Sequence, residues 1–243
     1  MHPAFWGSIP FTSRNPGEPL NCFLVESNGY DKIKPMLILA SASPRRRQLL
    51  SWLNLPFEVH VADIDETPLA HEAPGDYTLR LAKTKAEVVA QRLDGENSDS
   101  YWVLASDTTV SLDGEILGKP LDETMAYDML TRLRGRSHQV FTAVALARPE
   151  LALNSSRSQT ETEAIIAELC VVDVPMRAYS DAEMTVYIQS GDPMDKAGAY
   201  AIQHAGFHPV EHLDGCFAAV MGLPLCHVMR LLKRAGVELS ANM

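Results

Sequence analysis

The chain has little cysteine, an excess of acid over base, and no long apolar run. Its four cysteines among 243 residues, Cys22, Cys170, Cys216 and Cys226, lie far apart, with no CxxC pair. That excludes a disulfide scaffold or a paired-cysteine metal site and suits reduced thiols in a cytoplasmic protein. No stretch approaches the roughly 18 apolar residues of a membrane span. Residues 1–35 are broken by Pro3, Pro10, Pro16, Pro19, Gly7, Gly17 and Gly29, so no secretory core is legible there. Lysine and arginine total 21 against 31 aspartates and glutamates, a formal net charge of -10. Coating nucleic acid requires a basic surface, so nucleic acid is disfavoured as a partner. A small polyanion is not, provided the few cations converge or a divalent cation is recruited.

Familiar catalytic signatures are missing too. Neither a Gly-rich GxxxxGK[ST] loop nor a kinase phosphate loop is present, which argues against a P-loop NTPase or a kinase. No Ser-His-Asp arrangement can be defended. The eight histidines, including His204, His208 and His212, have uneven spacing unlike a zinc site.

What the chain does have is a regular alternation of strand and helix patterns from Met36 onward. Residues 1–34 show no period and read as a flexible extension, or as leader residues upstream of a start at Met36; residues 35–238 form the domain. The spacing predicts a buried strand at 37–40, a helix at 45–53 with Pro44 in its first turn, and a strand at 57–62. Asp76 caps a long helix at 77–93. Strands follow at 101–106, 110–112 and 115–117, the last two joined by the Asp113-Gly114 turn. A helix at 123–133 ends at Gly135. Strands at 139–147 and 164–174 flank a polar loop at 148–163. Ser180-Asp-Ala-Glu183 is a capping box for a helix to Gln189. A strand-rich stretch from 199 to 220 precedes a last helix, with Pro224 as its first residue, running to about Arg234. The pattern is one mixed α/β domain.

Several segments can carry chemistry. Ser41-Ala-Ser43-Pro-Arg45-Arg46 leads from a strand into a helix, where free N–H groups and two guanidinium forks meet an anion. An N-cap followed by solvated arginines accounts for the same letters. Asp107, after an apparent buried strand, is placed at the rim of the sheet, where α/β enzymes bind ligands; a turn-forming aspartate is the plainer alternative. Asp63-Ile-Asp65-Glu66 is an acid cluster that either converges on Mg²⁺ with substrate phosphates or is a solvated turn. Lys119 is held between Gly118 and Pro120. Lys85 sits on the long helix, where most lysines are solvated. Asp195-Lys-Ala-Gly-Ala-Tyr-Ala-Ile-Gln203 offers small residues and an amide able to read a base edge. Together these supply cations for a polyphosphate, carboxylates for a metal and an amide for a base, the inventory of phosphoryl chemistry.

Taken in order, Ala40-Ser-Ala-Ser-Pro-Arg-Arg46, Asp65-Glu-Thr67, Arg80-Leu-Ala-Lys-Thr-Lys-Ala86, Ser106-Asp-Thr108, Gly118-Lys-Pro120, Gly135-Arg-Ser-His138, Asp195-Lys-Ala-Gly198 and Gly222-Leu-Pro-Leu225 resemble the Maf family of nucleoside triphosphate pyrophosphatases. The resemblance implies a Maf/ITPase-like α/β fold, with an elongated mixed twisted sheet flanked by helices and a cleft between two lobes. It implies hydrolysis between the α- and β-phosphates, a divalent cation (Mg²⁺ or Mn²⁺) and a homodimer. By motif, Asp107 matches the proton acceptor and Glu66 an acid that helps hold metal, Asp107 serving as base or as metal ligand. Arg45, Arg46, Lys85 and Lys119 match the basic lining, beside Ser41 and Ser43. Arg45, Thr108 and Gln203 match the subgroup acting on dTTP and UTP; another subgroup takes 7-methyl-GTP. This chain departs from the first subgroup at His204 and Phe207, where glycines are usual, and at Phe217-Ala-Ala219, in place of an aromatic–Asn pattern. The family's link to septum formation and cell division implies the alternative of a nucleotide-binding regulator.

Overall fold

Three apolar residues, Leu37-Ile-Leu39, are wholly buried as strand β1 (Leu37–Leu39). A computed structural model describes residues 37–93, 101–148 and 164–237. The extension at 1–34 and the polar loop from 149 to 163 lie outside these residues. After β1 come α1 (Pro44–Ser51), β2 (Phe57–Val59), α2 (Pro74–Arg92), β3 (Trp102–Leu112), β4 (Glu115–Leu117), α3 (Glu123–Leu133), β5 (Ser137–Ala147) and β6 (Ile165–Pro175). The order closes with α4 (Asp181–Gln189), two 3-10 turns (Asp192–Asp195 and Ala197–Ala199), α5 (Phe217–Val220) and α6 (Leu225–Arg234).

The strands form one mixed sheet in the order β2-β1-β3-β5-β6, with β4 also on β3. β1 runs parallel to β2 and β3; the β3–β4, β3–β5 and β5–β6 pairs are antiparallel. Because side chains alternate across a strand, β3 feeds two cores. Val103 and Ala105 pack with Ala82, Ala86, Val89 and Ala90 of α2. Leu104 packs on the opposite face with Leu49 and Leu50 of α1 and Val228, Leu231 and Leu232 of α6. Toward its other end, Val110 and Leu112 enter a third core with α3, α4, Tyr200 and Phe207.

Beside the middle of β3 there is a gap. β1 pairs with Trp102–Leu104 and β4 with Val110–Leu112, both on the side away from β5. Between them, residues 105–109 present an edge with no strand beside it among the described residues.

Five expectations change. Residues 101–106 and 110–112 are one strand, because β5 pairs residue for residue through the polar middle, Ser106↔Val144 to Thr109↔Phe141. Asp107 therefore lies inside a strand, and it is the gap that makes a rim there. Helix α2 begins earlier, with Pro74 at its start and Ala73 before it, so Asp76 sits in the first turn and does not cap. Pro224 is the residue before α6 and not its first member. No strand forms at 199–220: Ala199 (φ 58) follows Gly198 (φ 68) in left-handed backbone, and the bonds beyond are turn-like, His204 N to Ala201 O and His208 N to His204 O. The strand at 57–62 is also shorter, ending at Val59.

Gly198 shows how tightly this region is built. A Cβ there would stand 2.8 Å from Val110 Cγ1, and its N–H donates to Gly118 O at 3.0 Å. The left-handed backbone alone costs a non-glycine residue about 1–3 kcal/mol. Gly198→Ala is expected to lower the unfolding free energy by at least about 2 kcal/mol in urea titrations. A variant as stable as the wild type would show that the loop yields freely.

Candidate active site

The turn after β1 is built as an anion seat. Ser43 caps α1, its Oγ accepting from Arg46 N at 3.5 Å, with Pro44 at the helix start. Ser41 Oγ, buried, accepts from Ser43 N at 3.2 Å. The guanidinium of Arg46 reaches back across this turn. Its Nε donates to Gly222 O (2.9 Å), Nη1 to Ser41 Oγ (3.4 Å) and Nη2 to Thr108 Oγ1 (3.1 Å). All three acceptors are neutral. Burial lowers the Arg46 pKa, while the charge of Asp107 pulls it back up. A desolvated cation with neutral partners favours an incoming anion. Arg45 stands beside it, 3.9 Å from Asp195.

Strand alternation decides what β3 contributes. Asp107 and Thr109 point toward α2, Ser106 and Thr108 toward Arg46 and Gly222. The buried stripe of α2 is apolar except at Thr78 and Lys85, and these are the positions facing the two polar groups. Thr78 Oγ1 meets Thr109 Oγ1 at 2.8 Å, and Lys85 Nζ lies 2.6 Å from Asp107 Oδ1. Lys85 is thus buried and paired, not solvated. Its ammonium also lies 2.6 Å from Glu66 Oε1.

Glu66 is delivered by the loop between β2 and α2. Tyr77 Oη donates to Glu66 O (2.7 Å), and Arg80 grips both Glu72 (2.6 and 2.7 Å) and Thr67 O (3.2 Å). Burial pushes the Glu66 carboxyl up, but the Lys85 hydrogen bond and the charges of Lys85, Lys119 and Arg46 hold it below its ordinary value. The rest of the acid cluster does not converge: Asp65 instead accepts from Thr67 N at 2.9 Å, closing the turn.

One cavity of about 480 Å³ collects these groups, within the range of roughly 300–1,000 Å³ usual for small-molecule sites. Ser41, Ser43, Arg45, Arg46, Glu66, Lys85, Asp107, Thr108, Lys119 and Gln203 all line it. Lys119 is exposed and makes no ion pair among the described residues. Gln203 is exposed in the turn after the second 3-10 segment.

Sequence reasoning left out three contributors. Lys196 lines the cavity, nearly buried, its Nζ held by Asp195 Oδ1 (2.6 Å) and Asp192 Oδ1 (3.2 Å). Its motif was visible, but was read for its small residues. Ser106 Oγ reaches Gly222 O at 2.8 Å, and Thr142 Oγ1 reaches Ala219 O at 2.8 Å and Thr108 at 3.2 Å. These hydroxyls pin the 219–222 turn that holds Arg46, a long-range role with no local signal. The departures noted in the sequence lie away from the cavity lining. Phe207 is buried beside Tyr179 and Tyr187, His204 packs edge-on to Tyr187, and Phe217 is solvent-exposed.

A helix N-terminus, convergent cations and a carboxylate pair in one cavity describe an α/β protein built around a small anionic ligand. The chain belongs to the Maf family: the family model described as Maf-like protein matches residues 36–235. It is 49% identical over 204 residues to the dTTP/UTP pyrophosphatase of Myxococcus xanthus, covering 84% of this chain and 94% of the relative. It is 41% identical over 203 residues to the dTTP/UTP pyrophosphatase of Geobacter sulfurreducens, covering 84% and 98%. Among solved structures it is similar to that of the Staphylococcus aureus Ham1 protein, at 12% identity and a TM-score of 0.43, covering 82% of this chain and 96% of that one.

The buried Lys85 yields a signed prediction. In Lys85→Met, Asp107 keeps its burial but loses its cation, a change that typically costs about 3–5 kcal/mol at neutral pH. Protonation of Glu66, whose pKa Lys85 helps hold down, removes the contribution that the lysine makes, so the stability gap to wild type should narrow from pH 7 to pH 3. In the wild type, the lowered Glu66 pKa contributes stability above the ordinary value of about 4.3, lost as pH falls through the folded value. Thermal unfolding of both proteins across that range measures it; a gap constant with pH would refute the electrostatic account.

Proposed function

We propose that the protein is a nucleoside triphosphate pyrophosphatase acting on dTTP and UTP, cleaving the α–β phosphoanhydride to a nucleoside monophosphate and pyrophosphate. The observation that carries this is the placement of Glu66 and Asp107, both 2.6 Å from one ammonium, in one cavity with Arg46 and the α1 N-terminus. Carboxylates beside an anion site repel a bare polyphosphate, and their presence suits a site that also holds a cation and a water for hydrolysis.

The carboxylate pair also suits Mg²⁺ or Mn²⁺. No group of three or more His, Cys, Asp or Glu among the described residues could cage an ion. Mg²⁺ is commonly held by one or two carboxylates together with substrate phosphates, so Glu66 and Asp107 would hold it with the triphosphate. When bound, such an ion supplies charge neutralisation and a more acidic water.

The chain's own residues do the rest. Arg45, Arg46, Lys119 and the α1 N–H groups bind the phosphates and offset the charge that develops on the leaving pyrophosphate. Asp107 orients the attacking water; as it adds across the anhydride, its proton passes to the Asp107 carboxylate or to bulk solvent. Gln203 places its amide at the pyrimidine edge, with Thr108 beside Arg46. The free thiols Cys170, Cys216 and Cys226 suit a reducing compartment, and we place the enzyme in the cytoplasm, as a homodimer.

Asp107→Asn is expected to lower kcat/KM for dTTP roughly 10²–10⁴-fold, with nucleotide binding retained in calorimetry. The assay is pyrophosphate release with Mg²⁺ from dTTP, UTP and 7-methyl-GTP. Equal or greater turnover of 7-methyl-GTP would replace the pyrimidine assignment. Binding without turnover by the wild type on any of the three would favour a regulator.

A further inference from the structure

This inference rests on the reading of Gln203 as the residue that meets the base. Gln203 is exposed, and something must hold its backbone if its amide is to discriminate. The turn that carries it, Ala201 to His204, is closed by His204 N donating to Ala201 O at 3.1 Å. The entry to that turn is fixed from outside the cavity. Ala201 N–H donates to the hydroxyl of Tyr187 on α4 at 2.9 Å, and the same hydroxyl donates to Asp192 Oδ2 at 2.7 Å. Asp192 is in turn held by Lys196, one of the residues that line the cavity. A single phenol oxygen thus joins the cavity lysine, through a carboxylate, to the backbone two residues before Gln203.

The ring is held independently of that oxygen. Tyr187 is 2% exposed, stacked on Phe207 with centroids 4.3 Å apart and planes 10° apart, and it meets the edge of His204 at 4.7 Å. Burial pushes the phenol pKa up, so it stays protonated and keeps donating to Asp192. Packing fixes the ring; the oxygen aims the turn.

We propose that Tyr187, which does not line the cavity, is a positioning residue for base selection, its hydroxyl setting where the Gln203 amide stands. UTP and CTP are the decisive pair, being alike in size and phosphates while presenting opposite hydrogen-bonding groups at the base edge. An amide held in place reads that difference; one on a loosened turn can rotate to suit either.

The test is Tyr187→Phe, which keeps the ring and its stacking, measured beside Gln203→Ala and Phe207→Leu. For Y187F the expected result is a KM for UTP raised about tenfold, kcat within about twofold, and a UTP-over-CTP preference reduced about tenfold. F207L, which loosens the ring cluster without touching the hydroxyl, should lower Tm and keep the preference. If Q203A loses the preference while Y187F keeps it, the proposal fails and the reading of Gln203 stands. If Q203A keeps it, that reading fails and takes the proposal with it. If F207L erodes the preference as much as Y187F does, Tyr187 has only a structural role and the proposal is overturned.

Discussion

Nine consecutive residue pairs between β3 and β5, Val103↔Ala147 through Ser111↔Gln139, fix the register on which the site depends. In a strand, a slip of one residue sends every side chain to the opposite face. Here it would turn Asp107 away from Lys85 and Thr108 away from Arg46 together. The apolar residues on either side of the polar segment defend that register. Val103 and Ala105 must meet α2 while Leu104 meets α1 and α6, so a slip would cost two cores at once. The chemistry in the middle of β3 is thus held by the packing at its ends.

That arrangement breaks a local rule on purpose. A polar pair, Thr78 and Lys85, interrupts the apolar stripe of α2, and a run from Ser106 to Thr109 interrupts an apolar strand. Each group has a partner. The hydroxyls of Ser106, Thr108 and Thr142 are satisfied against one another, Arg46 and the 219–222 turn. Buried polar networks stabilise only when such satisfaction is complete. The charges are arranged differently: Lys85 is paired with two carboxylates, whereas Arg46 has only neutral acceptors among the described residues. One cation organises the acids, and the other organises the hydroxyls and the 219–222 turn.

This division explains what could be read from the letters. Strands and helices with a clear period, such as β1, α3 and the capping box of α4, were legible, because local propensity and burial agree there. The ten candidate residues were legible as motifs, since charged residues beside Gly, Ser and Pro punctuation stand out. Legibility failed where long-range contacts decide the outcome. Nothing near Ser106-Asp-Thr108 says that β5 will carry the strand through it. Lys196 and Tyr187 owe their parts to Asp192 and Ala201, brought beside them by left-handed turns that spacing does not announce. Phe207 looked like a departure close to Gln203 in sequence, and is core.

The gap beside residues 105–109 has a consequence for how the molecule keeps to itself. Open sheet edges invite foreign strands, and proteins usually guard them at the margins of a sheet. This one lies at the centre, framed by β1 and β4, and is only about 17 Å long at 3.3 Å per residue. A strand from another chain would collide with both neighbours before it could add a useful ladder, and the exposed Lys119, just after β4, adds a charge. The framing of this edge by β1 and β4 thus guards against aggregation, without the lysines and prolines an outer edge would need.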